Sequence, residues 1–171
     1  MKLRTDRLLI REFAPGDWKD FQKIIVDFVD SPYAIYDHAM PTGEQEVRQL
    51  AGDFAGTGLW FAVFLQESEK MIGYICFHEE KGIYDLGYCF HSKYHGKGYA
   101  FESCTALMRF LEESREVKGF SSGTALKNVP SCRLLKKLGF VQTGTEQVSF
   151  CKDQDGNDII FEGGSFIKSV R

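Results

Sequence analysis

The chain has 171 residues, of which 43% are hydrophobic and 26% charged, a composition typical of a folded globular protein. Its length fits one domain, which we assign to residues 1–171. With 21 Lys and Arg against 24 Asp and Glu, the net charge is −3. The sequence therefore predicts no general affinity for nucleic acid or for an anionic membrane surface.

The cysteines and the apolar segments exclude several other classes. Five cysteines lie along the chain without a C-x-x-C spacing, so we expect neither a zinc site nor a redox framework. Residues 1–7 lack the apolar core of a signal peptide, and the longest apolar run, residues 60–65, is too short to cross a bilayer. We therefore expect a cytoplasmic protein without a bound metal, present as a monomer or a homodimer.

The first elements are a strand and two helices. Residues 3–13 predict a strand that ends at a Pro-Gly pair. Asp17 is predicted to cap a helix, because apolar residues recur after it at helical spacing. An aromatic loop at 33–41 follows. Thr42 and Gln45 have the spacing of a capping box and predict the start of a second helix.

The later elements alternate strands with helices. They are three strands, a helix, a strand, a helix and a closing hairpin, at residues 60–65, 71–78, 83–91, 99–113, 118–125, 130–138, 140–151 and 159–170. This order predicts an α/β (α+β) fold built on one mixed sheet.

A glycine-containing turn connects the strand at 83–91 with the helix that begins at Tyr99. Gly96 and Gly98 lack a Cβ, so their backbone N–H groups can approach a ligand closely. The helix N-terminus adds further N–H donors and positive potential, which favour a phosphate or a pyrophosphate. On this segment alone, an ordinary strand-to-helix turn explains the pattern equally well.

Two common phosphate-binding motifs do not fit this turn. A Walker A motif would need glycine at His91 and a hydroxyl residue at Gly98. The dinucleotide-binding fingerprint would need glycine at Phe101. Neither motif is present.

The turn resembles a different signature. His95-Gly96-Lys97-Gly98-Tyr99-Ala100 is similar to the Q/R-x-x-G-x-G/A signature of the GNAT N-acetyltransferase superfamily, with His in the first place. Residues 128–140 resemble the N-x-x-S-x-x-x-x-x-K-x-G-F helix of that superfamily. Residues 5–11 resemble the T-x-R-L-x-L-R start of its ribosomal-protein (alanine/serine) N-terminal acetyltransferase branch. The three matches occur in the expected order and span most of the chain.

The resemblance implies a sheet that splays in its centre, about four flanking helices, and acetyl-CoA between the strands at 83–91 and 118–125. The pantetheine arm would lie along the main chain of the first strand, the pyrophosphate on the glycine turn, and the start of the later helix on the other flank. The residues implied for acetyl-CoA are Cys89, Phe90, His91, His95, Gly96, Lys97, Gly98, Tyr99, Ala100, Asn128 and Ser131.

Two carboxylates are candidates for the general base. Asp85 is the charged residue inside an otherwise apolar strand and occupies a place where members of the superfamily often have Glu. Because Asp is shorter than Glu, we expect it to act through a water molecule. Glu102 is the second candidate, although its position on the polar side of a helix also fits a solvent-exposed role.

The general acid and the acceptor site are less defined by the sequence. Many members of the superfamily have a tyrosine acid in the later helix, where this chain has Leu135, so we expect Ser131 or a water it holds to protonate the thiol. The loop at 33–41 connects two helices that cover the acceptor in similar proteins. Its residues Tyr33, Tyr36, Asp37 and His38 are candidates to bind an amine cation, or they simply pack on the surface.

The predicted function is transfer of an acetyl group from acetyl-CoA to a primary amine. The acceptor is a peptide N-terminus or a small-molecule amine. The alternative is a catalytically silent acyl-CoA-binding or regulatory module, which the leucine at position 135 keeps open.

Overall fold

The computed structural model describes residues 1–170. The α-helices are α1 (Trp18–Val29), α2 (Glu44–Phe54), α3 (Tyr99–Ser114) and α4 (Val129–Lys137). The strands are β1 (Lys2–Arg4), β2 (Leu8–Glu12), β3 (Trp60–Leu65), β4 (Met71–Glu80), β5 (Ile83–Phe90), β6 (Gly119–Ala125), β7 (Val141–Lys152) and β8 (Asp158–Ser169).

All eight strands form one mixed sheet in the order β1-β2-β3-β4-β5-β6-β8-β7. Neighbouring strands are antiparallel except β5 and β6, which are parallel. This parallel pair needs a crossover, and α3 provides it. The sheet is therefore two antiparallel halves joined at one parallel contact.

The two faces of the sheet are covered by different helices. On one face α3 and α4 bury Leu107, Leu111 and Leu135 against the sheet. On the other face α1 and α2 bury Phe21 and Val47. Each helix buries an apolar stripe at helical spacing, which explains why the sheet needs two helices on each side.

The parallel contact between β5 and β6 is short. The two strands pair only through three positions, from Ile83 with Gly119 to Asp85 with Ser121, and then diverge. Beyond the pairing, Ser122 Oγ donates to the Leu86 carbonyl at 2.8 Å. The sheet thus splays in its centre, as the resemblance implied, and the gap widens toward the end of β5.

Most predicted elements are confirmed, but the two helix starts differ from the prediction. The Asp17 side chain does not cap α1, because Arg11 holds its carboxylate at 2.6 Å and the Ala14 N–H donates to it. Helix α2 begins after Gly43, without a side-chain cap, so the capping box at Thr42 is wrong. The Thr42 carbonyl instead accepts a hydrogen bond from Gln22 of α1 at 2.8 Å.

The first predicted strand is two strands in the structure. Residues 3–13 are split between β1 and β2, which pair with each other as an antiparallel hairpin. The break occurs where Thr5 N–H donates to the Leu8 carbonyl at 3.0 Å and turns the chain. This turn brings the start of the chain next to α3.

Candidate active site

The gap between β5 and β6 leaves part of the β5 backbone without a strand partner. Backbone groups alternate in direction along a strand, and the His91 N–H donates to Ile72 of β4 at 3.0 Å. Cys89, two residues earlier, therefore also directs its backbone groups to β4. The backbone groups of Tyr88 and Phe90 face the gap instead. Among the three residues implied for the pantetheine arm, Phe90 is thus the one with its main chain toward the opening.

The glycine loop, residues 95–100, lies at the wide end of this gap and leads into α3. Gly96 and Gly98 have φ angles of +72° and +81°, in the left-handed region that glycine adopts without strain. Gly98 is the N-cap of α3, so the first N–H groups of the helix point out of the loop. No atom lies within 4 Å of the position that a Cβ on Gly96 would take. The loop therefore offers open backbone donors at a positive helix end, which fits a pyrophosphate.

Side chains from distant segments hold the glycine loop and the turn before it. The His95 ring contacts the Phe90 carbonyl through Nε2 at 2.6 Å, which folds the loop back onto the end of β5. Asp27 of α1 accepts hydrogen bonds from the Ser92 N–H at 2.7 Å and from the Ser92 hydroxyl at 2.6 Å. Arg7 donates to the Lys97 carbonyl at 2.9 Å. His95 is thus a support of the loop rather than an open donor.

A pair of hydroxyl groups spans the gap on the α4 side. The Tyr88 hydroxyl on β5 lies 2.7 Å from the Ser131 hydroxyl in the first turn of α4. Burial raises the pKa of Tyr88 well above its ordinary value, so the phenol stays protonated at neutral pH. Asn128 accepts from the Ser131 N–H at 3.4 Å and caps α4, which fixes Ser131 in place. Leu135 is fully buried and brings no polar group to the site.

Asp85 lies at the narrow end of the gap. It occupies the last paired position of β5 and is exposed, on the face of the sheet opposite the Tyr88 side chain. The Ser121 hydroxyl of β6 donates to its carboxylate at 2.7 Å. This contact orients one carboxylate oxygen and leaves the group accessible to water.

Glu102, the second base candidate, is bound to the N-terminal turn. It accepts hydrogen bonds from the Thr5 hydroxyl at 2.5 Å and from the Arg7 side chain at 2.8 Å. Burial alone would raise the pKa of Glu102, but these hydrogen bonds and the Arg7 charge outweigh it and lower the pKa. A carboxylate held this way is a weak base, so these contacts favour a supporting role for Glu102.

The 33–41 loop crosses the gap on the other face of the sheet. The Tyr36 ring packs edge-on against Phe161 of β8 at 5.1 Å, and the His38 ring packs against Phe150 of β7 at 5.3 Å. At its other end, Met40 Sδ accepts from the Tyr74 hydroxyl of β4 at 3.9 Å. Since β5 and β6 lie between β4 and β8, residues 38–40 of the loop cross the gap from the β7–β8 side to β4.

Asp37 lies in this loop between Tyr36 and His38. After burial, its charge is the next cause of the raised pKa of Cys76 on β4 and of Cys89 on β5, so its carboxyl lies near these two strands. Its side chain is exposed to solvent, yet partial desolvation by the surrounding protein raises the pKa of the carboxyl. The His38 N–H, which donates to it at 2.7 Å, opposes this rise. Tyr33 lies at the start of the loop, where its N–H donates to Ser31. Of the four residues proposed for the acceptor, Asp37 is the one with a carboxylate, which suits an amine cation.

Three cysteines, on β4, β5 and α3, are poorly suited to act as nucleophiles because burial favours their neutral thiol form. Burial raises the pKa of Cys76 and of Cys89 to about 12, and it raises the pKa of Cys104 further. A thiol with such a pKa stays neutral near pH 7, whereas a nucleophilic cysteine must be a thiolate. The arrangement is therefore suited to direct attack by the acceptor rather than to a covalent enzyme intermediate.

Sequence reasoning missed Tyr88 as a site residue. Strand alternation placed it on the same face as Tyr84 and Leu86, which are core residues, and nothing in the sequence distinguishes it from them. Its partner Ser131 lies 43 residues further along the chain. Only the fold places these two hydroxyls together.

Two negative findings apply to residues 1–170. Within this range no group of three or more His, Cys, Asp or Glu side chains is arranged to hold a metal ion. None of the helices in the same part of the chain is long and apolar enough to span a membrane.

The comparisons with known proteins agree with the geometry. The Acetyltransferase (GNAT) domain family matches residues 7–141. An uncharacterized N-acetyltransferase, YnaD of Bacillus subtilis, is 30% identical over 84% of this chain and 85% of its own length. The [ribosomal protein uS5]-alanine N-acetyltransferase of Escherichia coli is 28% identical over 84% of this chain and 80% of its own.

A solved structure has the same fold. The GNAT-family acetyltransferase of Bacillus anthracis superposes with a TM-score of 0.83 at 24% identity, over 99% of this chain and 98% of that one. The family match covers most of the chain and coincides with the splayed sheet and the glycine loop. The chain therefore belongs to the GNAT family and is an acetyl-CoA-dependent N-acetyltransferase.

Proposed function

We propose that this enzyme acetylates a primary amine of low pKa, a peptide N-terminus first and a small-molecule amine second. The observation that carries the proposal is the position of Asp85, a short carboxylate at the narrow end of the gap with one oxygen bound to Ser121. Such a base assists an amine that is already partly neutral better than one that is fully protonated.

The residues present fit acetyl-CoA. The Tyr88 backbone and the Phe90 N–H are suited to an extended amide-containing arm, since the Phe90 carbonyl is already bound by the His95 ring. The glycine loop is suited to the pyrophosphate. When bound, acetyl-CoA supplies an activated acetyl group and a thiol leaving group. Asn128 and Ser131 border the other side of the gap, where Asn128 serves the site by capping α4.

The chain's own residues then divide the proton transfers between the two faces of the sheet. On one face Asp85, through a water molecule, accepts the proton that the attacking amine loses. On the other face the Tyr88 and Ser131 hydroxyls donate toward the departing sulfur. The Tyr88 phenol carries a proton before the transfer, and the Ser131 hydroxyl at 2.7 Å can replace the proton that the phenol gives to the sulfur.

Asp37 is our candidate for binding the acceptor. It lies near Cys76 and Cys89, on the same side of the sheet as Asp85, where we expect an acceptor to enter. A carboxylate with two neighbouring aromatic contacts favours a cationic or strongly polar amine. Tyr36 and His38 hold the loop in place through Phe161 and Phe150.

The pKa of the acceptor amine allows a direct test. An α-amino group has a pKa near 8 and a lysine side chain near 10.4, so at pH 7 the neutral fraction of the lysine is roughly 250-fold smaller. Making the neutral form costs about 1.4 kcal/mol for the α-amine and about 4.6 kcal/mol for the lysine. A weak, water-mediated base cannot make up the larger amount.

The experiment compares two peptides of one sequence, one with a free N-terminus and no lysine, the other with a blocked N-terminus and one lysine. Thiol release from acetyl-CoA should be at least tenfold faster with the free N-terminus. Faster acetylation of the lysine peptide would contradict the proposed acceptor class. CoA binding without thiol release for any peptide, polyamine or amino sugar would support the silent binding module instead.

A further inference from the structure

The β1–β2 turn contacts the glycine loop through one side chain. Arg7 Nη1 donates to the Lys97 carbonyl at 2.9 Å, and its guanidinium lies over the Tyr99 ring at 4.5 Å. Its Nε and Nη2 contact the same carboxylate oxygen of Glu102 at 2.8 and 2.6 Å. Arg7 is therefore held by a carboxylate and a ring and directs one N–H at the loop backbone.

The carboxylate partner is itself fixed. The second oxygen of Glu102 accepts from the Thr5 hydroxyl at 2.5 Å and from the Arg7 N–H at 3.1 Å. These contacts join residues separated by 95 and 97 positions, so the turn is attached firmly to the first turn of α3. Thr5 and Arg7 are also the first two defined residues of the T-x-R-L-x-L-R segment, and the proposed catalytic steps use no residue of this segment.

The hydrogen bond from Arg7 to the Lys97 carbonyl also determines the direction of the Gly98 N–H. A trans peptide is planar, and its C=O and N–H point in opposite directions. Because the Lys97 carbonyl points at Arg7, the Gly98 N–H of the same peptide points away from Arg7. Gly98 has a φ of +81°, and glycine on both sides of Lys97 makes rotation of this peptide easy.

We infer that Arg7 is a positioning residue that holds the Lys97–Gly98 peptide so that the Gly98 N–H is directed at the cofactor's pyrophosphate. The inference rests on the proposed pyrophosphate site in the glycine loop. Glu102 balances the charge of Arg7 at close range, so the contribution of Arg7 is geometric rather than electrostatic. Lysine cannot replace it, because a single ammonium group lacks the fork that reaches Glu102 and Lys97 together.

The test measures CoA binding by calorimetry for Arg7→Lys, Arg7→Ala and the matched control Arg4→Ala. Arg4 is an arginine of the same hairpin that donates to Gln66, away from the loop. We expect about tenfold weaker CoA binding for both Arg7 variants and wild-type binding for the control. The fold-loss of CoA affinity should be the same at low and high salt, because Arg7 acts through geometry and not through a net charge.

Two further readouts separate positioning from general damage. Amide hydrogen exchange should increase at residues 96–100 in Arg7→Lys, while the thermal midpoint stays near that of Arg4→Ala. With saturating acceptor, the KM for acetyl-CoA should rise and kcat should stay nearly unchanged. Glu102→Gln, which keeps the shape but weakens the pairing, should show a smaller shift in the same direction.

CoA binding by Arg7→Lys equal to wild type would overturn the inference and leave a simple role for positive charge. Equal CoA affinity of Arg7→Ala and the wild type in high salt would also overturn the inference. A different result tests the cofactor site itself: if Gly98→Val binds CoA normally, the pyrophosphate is not on this loop and the proposed site fails. Loss of binding in Gly98→Val with normal binding in Arg7→Lys would remove only the positioning role.

Discussion

The glycine loop and the 33–41 loop lie at the same gap in the sheet but are fixed by different forces. The glycine loop and the turn before it are held by hydrogen bonds that involve backbone groups. Arg7 donates to the Lys97 carbonyl, Asp27 accepts from the Ser92 N–H, and the His95 ring contacts the Phe90 carbonyl. The 33–41 loop is held mainly by aromatic edges and sulfur contacts. Hydrogen bonds fix the direction of a peptide group, whereas apolar contacts fix a position and tolerate a change of side chain.

This difference fits the two roles that we propose for these loops, cofactor binding and acceptor binding. A pyrophosphate is recognised by N–H groups, so the cofactor loop needs a defined backbone. An acceptor is recognised by side chains, so its loop needs a stable position and an exposed polar group, here Asp37. We therefore expect backbone changes to affect the cofactor loop most and side-chain changes to affect the acceptor loop most.

Gly98→Val should have the largest effect on CoA binding. Valine is strained at a φ of +81°, and the change would rotate the peptide that faces the cofactor. We expect CoA binding to weaken by at least tenfold, and acetyl transfer to fall with it. The matched control is Gly52→Val in α2, where a Cβ meets no neighbouring atom and φ is helical. Equal CoA affinity in the two variants, measured by calorimetry, would contradict the site.

Tyr88→Phe should reduce turnover with little change in CoA affinity. The variant removes only the hydroxyl that contacts Ser131 at 2.7 Å. If this pair donates to the departing thiol, kcat should fall by about 100-fold, the lower range for a general acid. Ser131→Ala should give a smaller loss, and the double variant should be no worse than Tyr88→Phe, because the two hydroxyls act as one unit.

Tyr84→Phe is the control for this change, since Tyr84 lies on the same face of β5 but packs in the core against Phe77 and Phe120. It should keep full turnover. Normal kcat in Tyr88→Phe, measured as thiol release under saturating substrates, would remove the pair from the chemistry. Water would then be the remaining acid.

The sequence predicts those parts of the structure that depend on neighbouring residues better than those that depend on contacts between distant residues. Strand β3 was predicted at the residues where it occurs, because its apolar run is a local signal. The predicted start of α2 at Thr42 is wrong. The Gln22 side chain, 20 residues away, donates to the Thr42 carbonyl, and the helix begins after Gly43. A local capping pattern does not contain that information.

The candidate site shows the same limit. The glycine loop could be proposed from the sequence because its two glycines and the start of α3 lie within a few consecutive residues. Tyr88 was not recognisable, since its partner is 43 residues away, and the ion pair of Glu102 with Arg7 joins residues 95 apart. Residues that act through one another across the fold need the fold to be identified.

Asp37→Asn should have the smallest effect on activity and an opposite effect on stability. Loss of the carboxylate should raise the KM for a peptide acceptor by between about threefold and tenfold, because the group is accessible to solvent and its attraction is screened. CoA affinity should not change. Asp30→Asn, an exposed aspartate just after α1, is the control and should keep the wild-type KM.

The stability effect follows from the raised pKa of Asp37, whose main cause is the partial loss of water around this exposed carboxyl. A carboxyl with a higher pKa in the folded state than in the unfolded state binds its proton more readily when folded. Its contribution to folding is therefore most favourable at low pH and is lost as the pH rises through the folded pKa. At pH 7, Asn removes this cost, so the thermal midpoint should stay equal or rise, and the gain should shrink toward acid pH. A lower midpoint with an unchanged KM would make Asp37 a structural residue of the loop instead of an acceptor-binding one.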